Sequence, residues 1–376
     1  MQVFGPNELT EDVLQSGFCI GCGACVNLCP YFQTYRGKTA MLFPCTKETG
    51  RCHAFCPKTE VDLEELSREF FGIPYPEDPL GSWLTIHMAK AGGAAEQGNF
   101  QDGGTVSALM QFALETGRID GAVLTGRDGL VPAPGLATDK QEVCGFASSK
   151  YTAAPTVSAL NEGARRGFTR MGIVGTPCQL TAVAQMKTNP LQASDSKDSV
   201  ALSIGVFCTW AMDTRAFLSF IKERLPGAEI RKMTIPPPPA AVLILETDSG
   251  KIEIPLDEIR PMVPSGCMIC PDMTAEWSDL SAGSMEGFDN WNTLIVRSKK
   301  GSQLVEDAVK AGYLILEDFP DQSLQHLKSA AAGKKKRALE RAVESELVNT
   351  PEGRRSALRI DKKTLEKIIS GQEAVK

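Results

Sequence analysis

The chain has 376 residues, 42% of them hydrophobic and 23% charged, with a formal net charge of −6. That is enough for two or three domains and a sizeable core, and the acidic balance argues against nucleic acid as a main partner. No apolar run reaches the roughly 18 residues of a membrane span and the first residues carry no basic n-region, so a cytoplasmic chain without an integral membrane segment is expected. Twelve cysteines then need explaining, because disulfides do not persist in a reducing compartment.

Seven of them lie between Cys19 and Cys56. The run Cys19-Ile-Gly-Cys22-Gly-Ala-Cys25-Val-Asn-Leu-Cys29-Pro30 is C-x2-C-x2-C-x3-C-P, the spacing of bacterial ferredoxins. Three thiolates in a tight loop reach three irons of one cubane. Gly21 and Gly23 let backbone N–H groups turn toward the sulfides. A second C-P follows at Cys56-Pro57, after Cys45 and Cys52. Pairing the halves in ferredoxin fashion gives one cluster to Cys19, Cys22, Cys25 and Cys56 and leaves Cys29, Cys45 and Cys52 for another. The second lacks a fourth cysteine; His53, Cys144 or a non-cysteine ligand would complete it, or it is a three-iron cluster. A structural zinc site also takes four thiolates, but zinc knuckles use paired C-x2-C.

This module spans about residues 10–66, and the proline-punctuated segment Gly72–Pro79 reads as a connector. Beyond it strands and helices alternate: strand Ile86–Ala91, a glycine-rich loop (Gly92, Gly93, Gly98, Gly103, Gly104), helix Thr105–Thr116, strand Ala122–Leu124 and helix Ala159–Arg166. Strand Met171–Val174, helix Cys178–Met186, strand Val200–Phe207 and helix Ala216–Leu225 follow. The alternation argues an α/β domain with a largely parallel sheet. Four prolines (Pro236–Pro239) precede a hairpin, Val242–Glu246 and Ile252–Ile254, around Ser249-Gly250. Strands Thr293–Arg297 and Tyr313–Leu316 flank helix Gln303–Ala311. From Ala331 to Lys376 there are 12 Lys+Arg and 7 Asp+Glu, and this tail, Lys334–Arg337 included, reads as a solvated charged helix.

Cys178 and Cys208 end strand-like segments, where α/β sheets place their sites, and Cys267-Met-Ile-Cys270 is a C-x2-C pair in need of partners. Spacing makes these four a plausible quartet. Cys144 is as well explained as a small buried hydrophobe. Gly103-Gly104-Thr105, opening a helix, matches neither G-x-G-x-x-G nor a Walker pattern and is equally a tight turn. His87 and His326 read as structural, and no side chain is assigned a catalytic role.

Several motifs fall in one order: the C-x2-C-x2-C-x3-C-P run, Asp102-Gly103-Gly104, Ser149-Lys150-Tyr151, Gly175-Thr176-Pro177-Cys178-Gln179, Gly205-Val-Phe-Cys208, Cys267-x2-Cys270 with Asp272, Asp279-Leu-Ser-Ala-Gly283 and Trp291–Arg297. Over about residues 15–315 this resembles the coenzyme F420 hydrogenase/dehydrogenase beta-subunit family. The resemblance implies an α+β oxidoreductase: a ferredoxin-like 2x4Fe–4S module (10–66), an α/β flavin-binding domain with a mixed sheet (80–320) and a charged helical tail (321–376). It implies FAD and two to three 4Fe–4S clusters, the last held by Cys178, Cys208, Cys267 and Cys270. Gly103, Gly104, Thr105, Ser149, Lys150, Tyr151, Gly175, Thr176, Pro177 and Gln179 become candidate flavin contacts, with Lys150 offsetting negative charge. Implied partners are other subunits of a redox complex (hydrogenase, formate dehydrogenase or heterodisulfide-reductase-like), with F420 or ferredoxin as carrier. A stand-alone reductase of a small organic substrate is the alternative.

Overall fold

The computed structural model describes residues 3–188, 191, 198–237, 239–349 and 355–371; Pro238 of the proline run and tail residues 350–354 and 372–376 lie outside them. Helix α1 (Pro6–Leu9) begins with proline and a backbone N–H of Gly5 given to the Glu8 carboxylate, 3.0 Å away. A π-helical segment, Thr10–Gln15, leads into the cysteine loop. Then come the hairpin β1 (Phe32–Tyr35) and β2 (Lys38–Met41), the single turn α2 (Arg51–Ala54), β3 (Val61–Asp62) and α3 (Leu63–Phe71). Asp62 caps α3 by accepting from Glu65 N, and Gly72 ends it in the left-handed region at φ +71.

The main body follows as β4 (Thr85–Ala91), α4 (Thr105–Glu115), β5 (Gly121–Asp128), β6 (Val131–Ala137), α5 (Lys140–Gly145) and α6 (Thr156–Arg165). It continues with β7 (Met171–Gly175), α7 (Pro177–Thr188), β8 (Val200–Val206) and α8 (Thr214–Arg224). Next are β9 (Ile230–Thr234), β10 (Val242–Thr247), β11 (Gly250–Pro255), α9 (Leu256–Ile259) and α10 (Ser265–Met268). The chain closes with β12 (Leu280–Ser284), β13 (Asn292–Val296), α11 (Lys299–Lys310), β14 (Leu314–Asp318), α12 (Asp321–Glu344), β15 (Leu358–Arg359) and α13 (Lys362–Ser370).

Eight strands form one sheet in the order β14-β4-β13-β12-β8-β7-β5-β6. Only the central four, β12, β8, β7 and β5, pair with one another in parallel; every pairing outside them, of β6 at one side and of β13, β4 and β14 at the other, is antiparallel. The sheet is therefore mixed, and less parallel than alternation alone implies. Residues of β5 alternate between its two faces: Ala122 and Leu124 pack in the core with α4 and α11, Val123 in the core with α6 and α7. The hairpin β10–β11 joins β9 in a separate three-stranded sheet, with Leu243, Leu245 and Ile254 packed on Phe217 and Ile221 of α8.

The N-terminal module is packed onto the α6/α7 face. Ile20, Cys22, Ala24 and Phe55 share a core cluster with Val157, Ile173 and Leu180. The Cys22 carbonyl accepts from Val157 N (3.0 Å), and Asn161 Nδ2 donates to the carbonyls of Ala24 (3.1 Å) and Val26 (2.7 Å). Gly23 has φ +85, and a Cβ there would stand 2.6 Å from the Pro155 carbonyl oxygen, so this contact requires glycine. The proline-rich connector is anchored too, since Tyr75 and Leu80 are buried.

The C-terminal segment corrects the expectation of a solvated tail. It is helical over α12, but Ala331, Lys334, Lys335, Ala338, Leu339 and Ala342 form a buried stripe. Beyond it β15 pairs in parallel with β3, and Leu339, Ala342 and Leu358 pack with Leu63, Leu66 and Trp277. The lysine stems lie along apolar surface as part of that packing. No helix among the described residues is long and apolar enough to cross a membrane.

Candidate functional site

The cysteines gather into three groups. The thiols of Cys19, Cys22, Cys25 and Cys56 act on one another electrostatically and line one cavity. Cys29 and Cys45 act on Cys52. Cys178 and Cys208 act with Cys267 and Cys270, brought together from three places in the chain. Cys178 opens α7 just after β7 and Cys208 follows β8, so these two stand at the carboxyl ends of adjacent parallel strands. Cys267 lies in α10 and Cys270 just after it.

The groups also adjoin. Cys52 of the second acts on Cys25 of the first, and Cys178 of the third acts on Cys22. Cys29 is exposed, so the series runs inward from the surface. The third group is held by buried polar contacts. Asp272 accepts the N–H groups of Thr274, Ala275 and Glu276 at 2.8–2.9 Å, and Cys208 N donates to Met273 O at 2.9 Å. Gly205 admits this loop, because a Cβ there would sit 2.2 Å from the Ala275 Cβ. Arg297, 2% exposed, donates to Leu80 O, Ser82 O, Thr274 O, Thr274 Oγ1 and Ser281 Oγ. Asp279 accepts from Ser203 and Ser298. The motifs Asp279–Gly283 and Trp291–Arg297 thus brace the third group from outside.

Burial raises these thiols: Cys52 to about 11 and Cys56 to about 12, with Cys22, Cys25, Cys178, Cys208 and Cys267 also raised. Neighbouring thiols add to the shift, since a second thiolate nearby is unfavourable. Thiolates in such a place need a cationic core to bind. Among the described residues no three of His, Cys, Asp or Glu converge to hold a single ion. In the first group all four thiols line one cavity, as a cluster that brings iron to each corner requires. The donor sets fit iron–sulfur clusters.

Of the suggested completing ligands for Cys29, Cys45 and Cys52, Cys144 stands apart from them and His53 adjoins Cys52 on α2. Cys144 is on α5, receives a hydrogen bond from Gln111 Nε2 (3.3 Å) and faces the Glu96 carbonyl. His53 packs edge-on against Phe4, among Asp12, Glu60 and Arg355, and burial lowers it to about 4. His87 contacts Thr85 Oγ1, and His326 is exposed.

The candidate flavin residues fall in two places joined by the chain from Tyr151 to Thr156. Gln101 accepts from Ser149 N (3.1 Å) and donates to Thr234, and Tyr151 OH accepts from Ile235 N (3.2 Å). Thr105 N, at the start of α4, donates to Asn292 Oδ1 (3.2 Å). Gly175–Gln179 lies at the end of β7, where Gln179 accepts from Thr176 N and donates to Ala154 O and Thr156 Oγ1; Pro177 is buried at the start of α7. The Lys150 ammonium is held by the carbonyls of Phe146, Ala147 and Ser148 at 2.6–2.8 Å, and burial with nearby Arg127 pulls it down to about 8. Gly103 and Gly104 are accounted for within the protein, because a Cβ would meet Ala89 O and Asn290 O at the first and the Phe100 ring at the second.

Two buried lysines were not legible as part of this site. Lys58, directly after Cys56-Pro57, lines the cavities of both the first and third groups. Lys334 donates to the carbonyls of Cys208 and Asp272, 2.6 Å each. The signal for Lys334 was the apolar stripe Ala331, Ala338, Leu339 and Ala342, whose helical spacing passes through it.

A mixed α/β body carrying grouped thiolate sites beside a ferredoxin-type loop defines an iron–sulfur oxidoreductase class. Comparison with known proteins makes the assignment specific. The model for the carboxyl-terminal part of the coenzyme F420 hydrogenase/dehydrogenase beta subunit matches residues 168–322, its N-terminal counterpart residues 87–161, and a 4Fe–4S binding domain residues 13–32. The coenzyme F420 hydrogenase subunit beta of Methanothermobacter thermautotrophicus is 31% identical over 269 residues, 69% of this chain and 94% of that protein. One subunit of the F420H2 dehydrogenase of Methanosarcina mazei is 26% identical over 332 residues, 83% of this chain and 88% of that protein. A chain of the F420-reducing [NiFe] hydrogenase complex from Methanosarcina barkeri superposes with TM-score 0.64 at 26% identity, covering 71% of this chain and 93% of its own. The chain belongs to the coenzyme F420 hydrogenase/dehydrogenase beta-subunit family and is an oxidoreductase.

Proposed function

We propose that this chain is an iron–sulfur flavoprotein subunit that moves electrons between a two-electron carrier of the F420 type and a partner redox complex, through FAD and 4Fe–4S clusters. The observation that carries this reading is the continuous series of thiol groups, from exposed Cys29 through Cys52 and Cys25 to Cys22 and Cys178. Relatives that are subunits of F420-linked enzymes support it. In this reading residues 10–66 form the iron–sulfur module and 80–320 the flavin domain, with α12 and α13 packed against both.

Cys19, Cys22, Cys25 and Cys56 would hold one cluster, and Cys178, Cys208, Cys267 and Cys270 another. Cys29, Cys45 and Cys52 would hold a third. A flavin, when bound, exchanges a hydride with an organic carrier and single electrons with clusters. Gly103, Gly104, Thr105, Ser149, Lys150, Tyr151, Gly175, Thr176, Pro177 and Gln179 would position it, with Gly175–Gln179 bringing it next to Cys178. Lys150 supplies positive charge for a phosphate or for a reduced ring. The buried contacts of Asp272, Asp279 and Arg297 exclude water from the third group and fix its geometry.

The test is an anaerobic titration of the full chain followed by its visible spectrum, with reduced F420 and with NADH. Bleaching by reduced F420 alone supports the reading. A flavin-containing protein that responds only to NADH would assign another carrier, and a flavin-free protein would remove the proposed two-electron step.

A further inference from the structure

Three lysines are buried among the described residues: Lys58 (7% exposed), Lys334 (6%) and Lys335 (1%). Lys335 is neutralised by Glu276 at 2.8 Å. No described carboxylate lies within ion-pair distance of Lys58 or Lys334; both charges interact with cysteines, and Lys334 also with the more distant Asp272 carboxylate. Burying an ammonium without a counter-charge is strongly unfavourable. A 4Fe–4S core bound by four thiolates carries net negative charge and gains one more on reduction, so it would supply what these lysines lack.

Their positions differ. Lys58 lines the cavity walled by Cys19, Cys22, Cys25 and Cys56 and also the one walled by Cys178 and Cys270. Its charge acts on Cys56 of the first group and on Cys178 and Cys267 of the third. Among the cysteine groups Lys334 faces the third alone, through Cys208, Cys267 and Cys270 beside the Asp272 carboxylate, and it hydrogen-bonds the carbonyls of Cys208 and Asp272. It belongs to α12, of which all but the first two residues lie beyond the residues that match the family, 168–322.

We infer that Lys58 is the counter-cation shared by the first and third cluster sites and sets both reduction potentials, while Lys334 sets that of the third alone. The inference rests on the cluster assignment made under Proposed function. A cation in a weakly screening interior favours the more negative, reduced cluster and so raises its potential. Lys58 lifts both sites together; Lys334 tilts the pair toward the third. Both are positioning residues that act through the clusters and touch no substrate.

The experiment is an anaerobic redox titration of the full-length, cluster-loaded protein monitored by electron paramagnetic resonance, with iron and sulfide measured for each variant. The third-group signal is identified as the one lost in Cys267→Ala. Lys58→Gln should lower both midpoints by at least tenfold in the reduction equilibrium, about 59 mV for a one-electron couple. Lys334→Gln should lower only the third-group midpoint, and Lys58→Arg should stay close to the wild type. Lys58→Met, which keeps the stem without the charge, is the second neutral variant. Loss of iron from both neutral variants but not from Lys58→Arg also supports a counter-cation. A Lys58→Gln protein that holds its iron and moves neither midpoint, or only one, overturns the inference, as does equal damage by Lys58→Arg. If the wild type carries no cluster at the third group, the functional reading fails with it; an unmoved midpoint in a loaded protein sinks the lysine assignment alone.

Discussion

Replacing Lys335 with methionine tests whether α12 is part of the core. Lys335 is 1% exposed, donates to Tyr75 OH at 2.9 Å and lies 2.8 Å from Glu276, whose side chain is 2% exposed. Methionine keeps most of the apolar volume, so the dominant change is a buried carboxylate without its cation, a loss of about 3–5 kcal/mol. For 376 residues the unfolding entropy near the midpoint is about 0.8 kcal/mol per kelvin, so Tm should fall by about 4–6 °C in differential scanning calorimetry. The sign of the pH dependence is fixed by Glu276. Burial already raises its carboxyl above 4.5, against the pull of Lys335, and removing the lysine raises it further. The folded variant then binds more protons than the unfolded chain above pH 4.5, so its stability declines as pH rises. The deficit should be small near pH 4.5 and grow as pH rises. Adding Glu276→Gln should recover about half of the loss, because the stranded charge is gone. A single variant within 1 °C of the wild type at pH 8 would refute the buried-pair reasoning.

Three further outcomes are expected. Asn161→Ala leaves the carbonyls of Ala24 and Val26 without their donor, at a cost of about 1–3 kcal/mol, and should speed hydrogen exchange in residues 20–30 relative to β7. Gly23→Ala must place a side chain at φ +85 and 2.6 Å from the Pro155 carbonyl; iron analysis should show loss of about four irons, with the third-group signal kept. In metal-free protein, iodoacetamide at neutral pH should label exposed Cys29 first and leave Cys178 and Cys208 slow, because burial holds those thiols protonated. Mass spectrometry of the labelled peptides reads the order, and fast labelling of Cys208 would contradict its placement.

Much of the fold was legible where hydrophobic period and turn chemistry agreed. The strands β4, β7 and β8, helices α4, α6 and α7 and the β10–β11 hairpin follow the sequence pattern closely, while β5 runs on to Asp128, well beyond the expected Ala122–Leu124. What escaped has physical reasons. β6 contains Pro132 and Pro134 and is assigned no element from the sequence, yet it is an edge strand of the sheet, where a missing N–H costs little. β12 overlaps Asp279–Gly283, whose small residues carry no strand signal; its place is set by Ser203–Asp279 hydrogen bonds and by pairing with β8. The hairpin β1–β2 was overshadowed by the cysteines on either side.

At the site, local spacing announced the first cysteine run, and position at strand ends pointed to Cys178 and Cys208. Neither could show that Lys334, one of four consecutive basic residues, turns inward while Arg337 remains exposed. That depends on which side of α12 meets Tyr75 and Asp272, a tertiary fact. The need for glycine at 103 and 104 is tertiary in the same way: a Cβ would meet the Ala89 and Asn290 carbonyls at the first and the Phe100 ring at the second.

The most direct test of the central claim is the iron, acid-labile sulfide, zinc and flavin content of anaerobically purified protein, compared between the wild type and Cys267→Ala. The expected result is about eight to twelve irons with matching sulfide and one flavin per wild-type chain, and about four fewer irons in the variant. Full iron content in Cys267→Ala, or stoichiometric zinc without flavin, would contradict it.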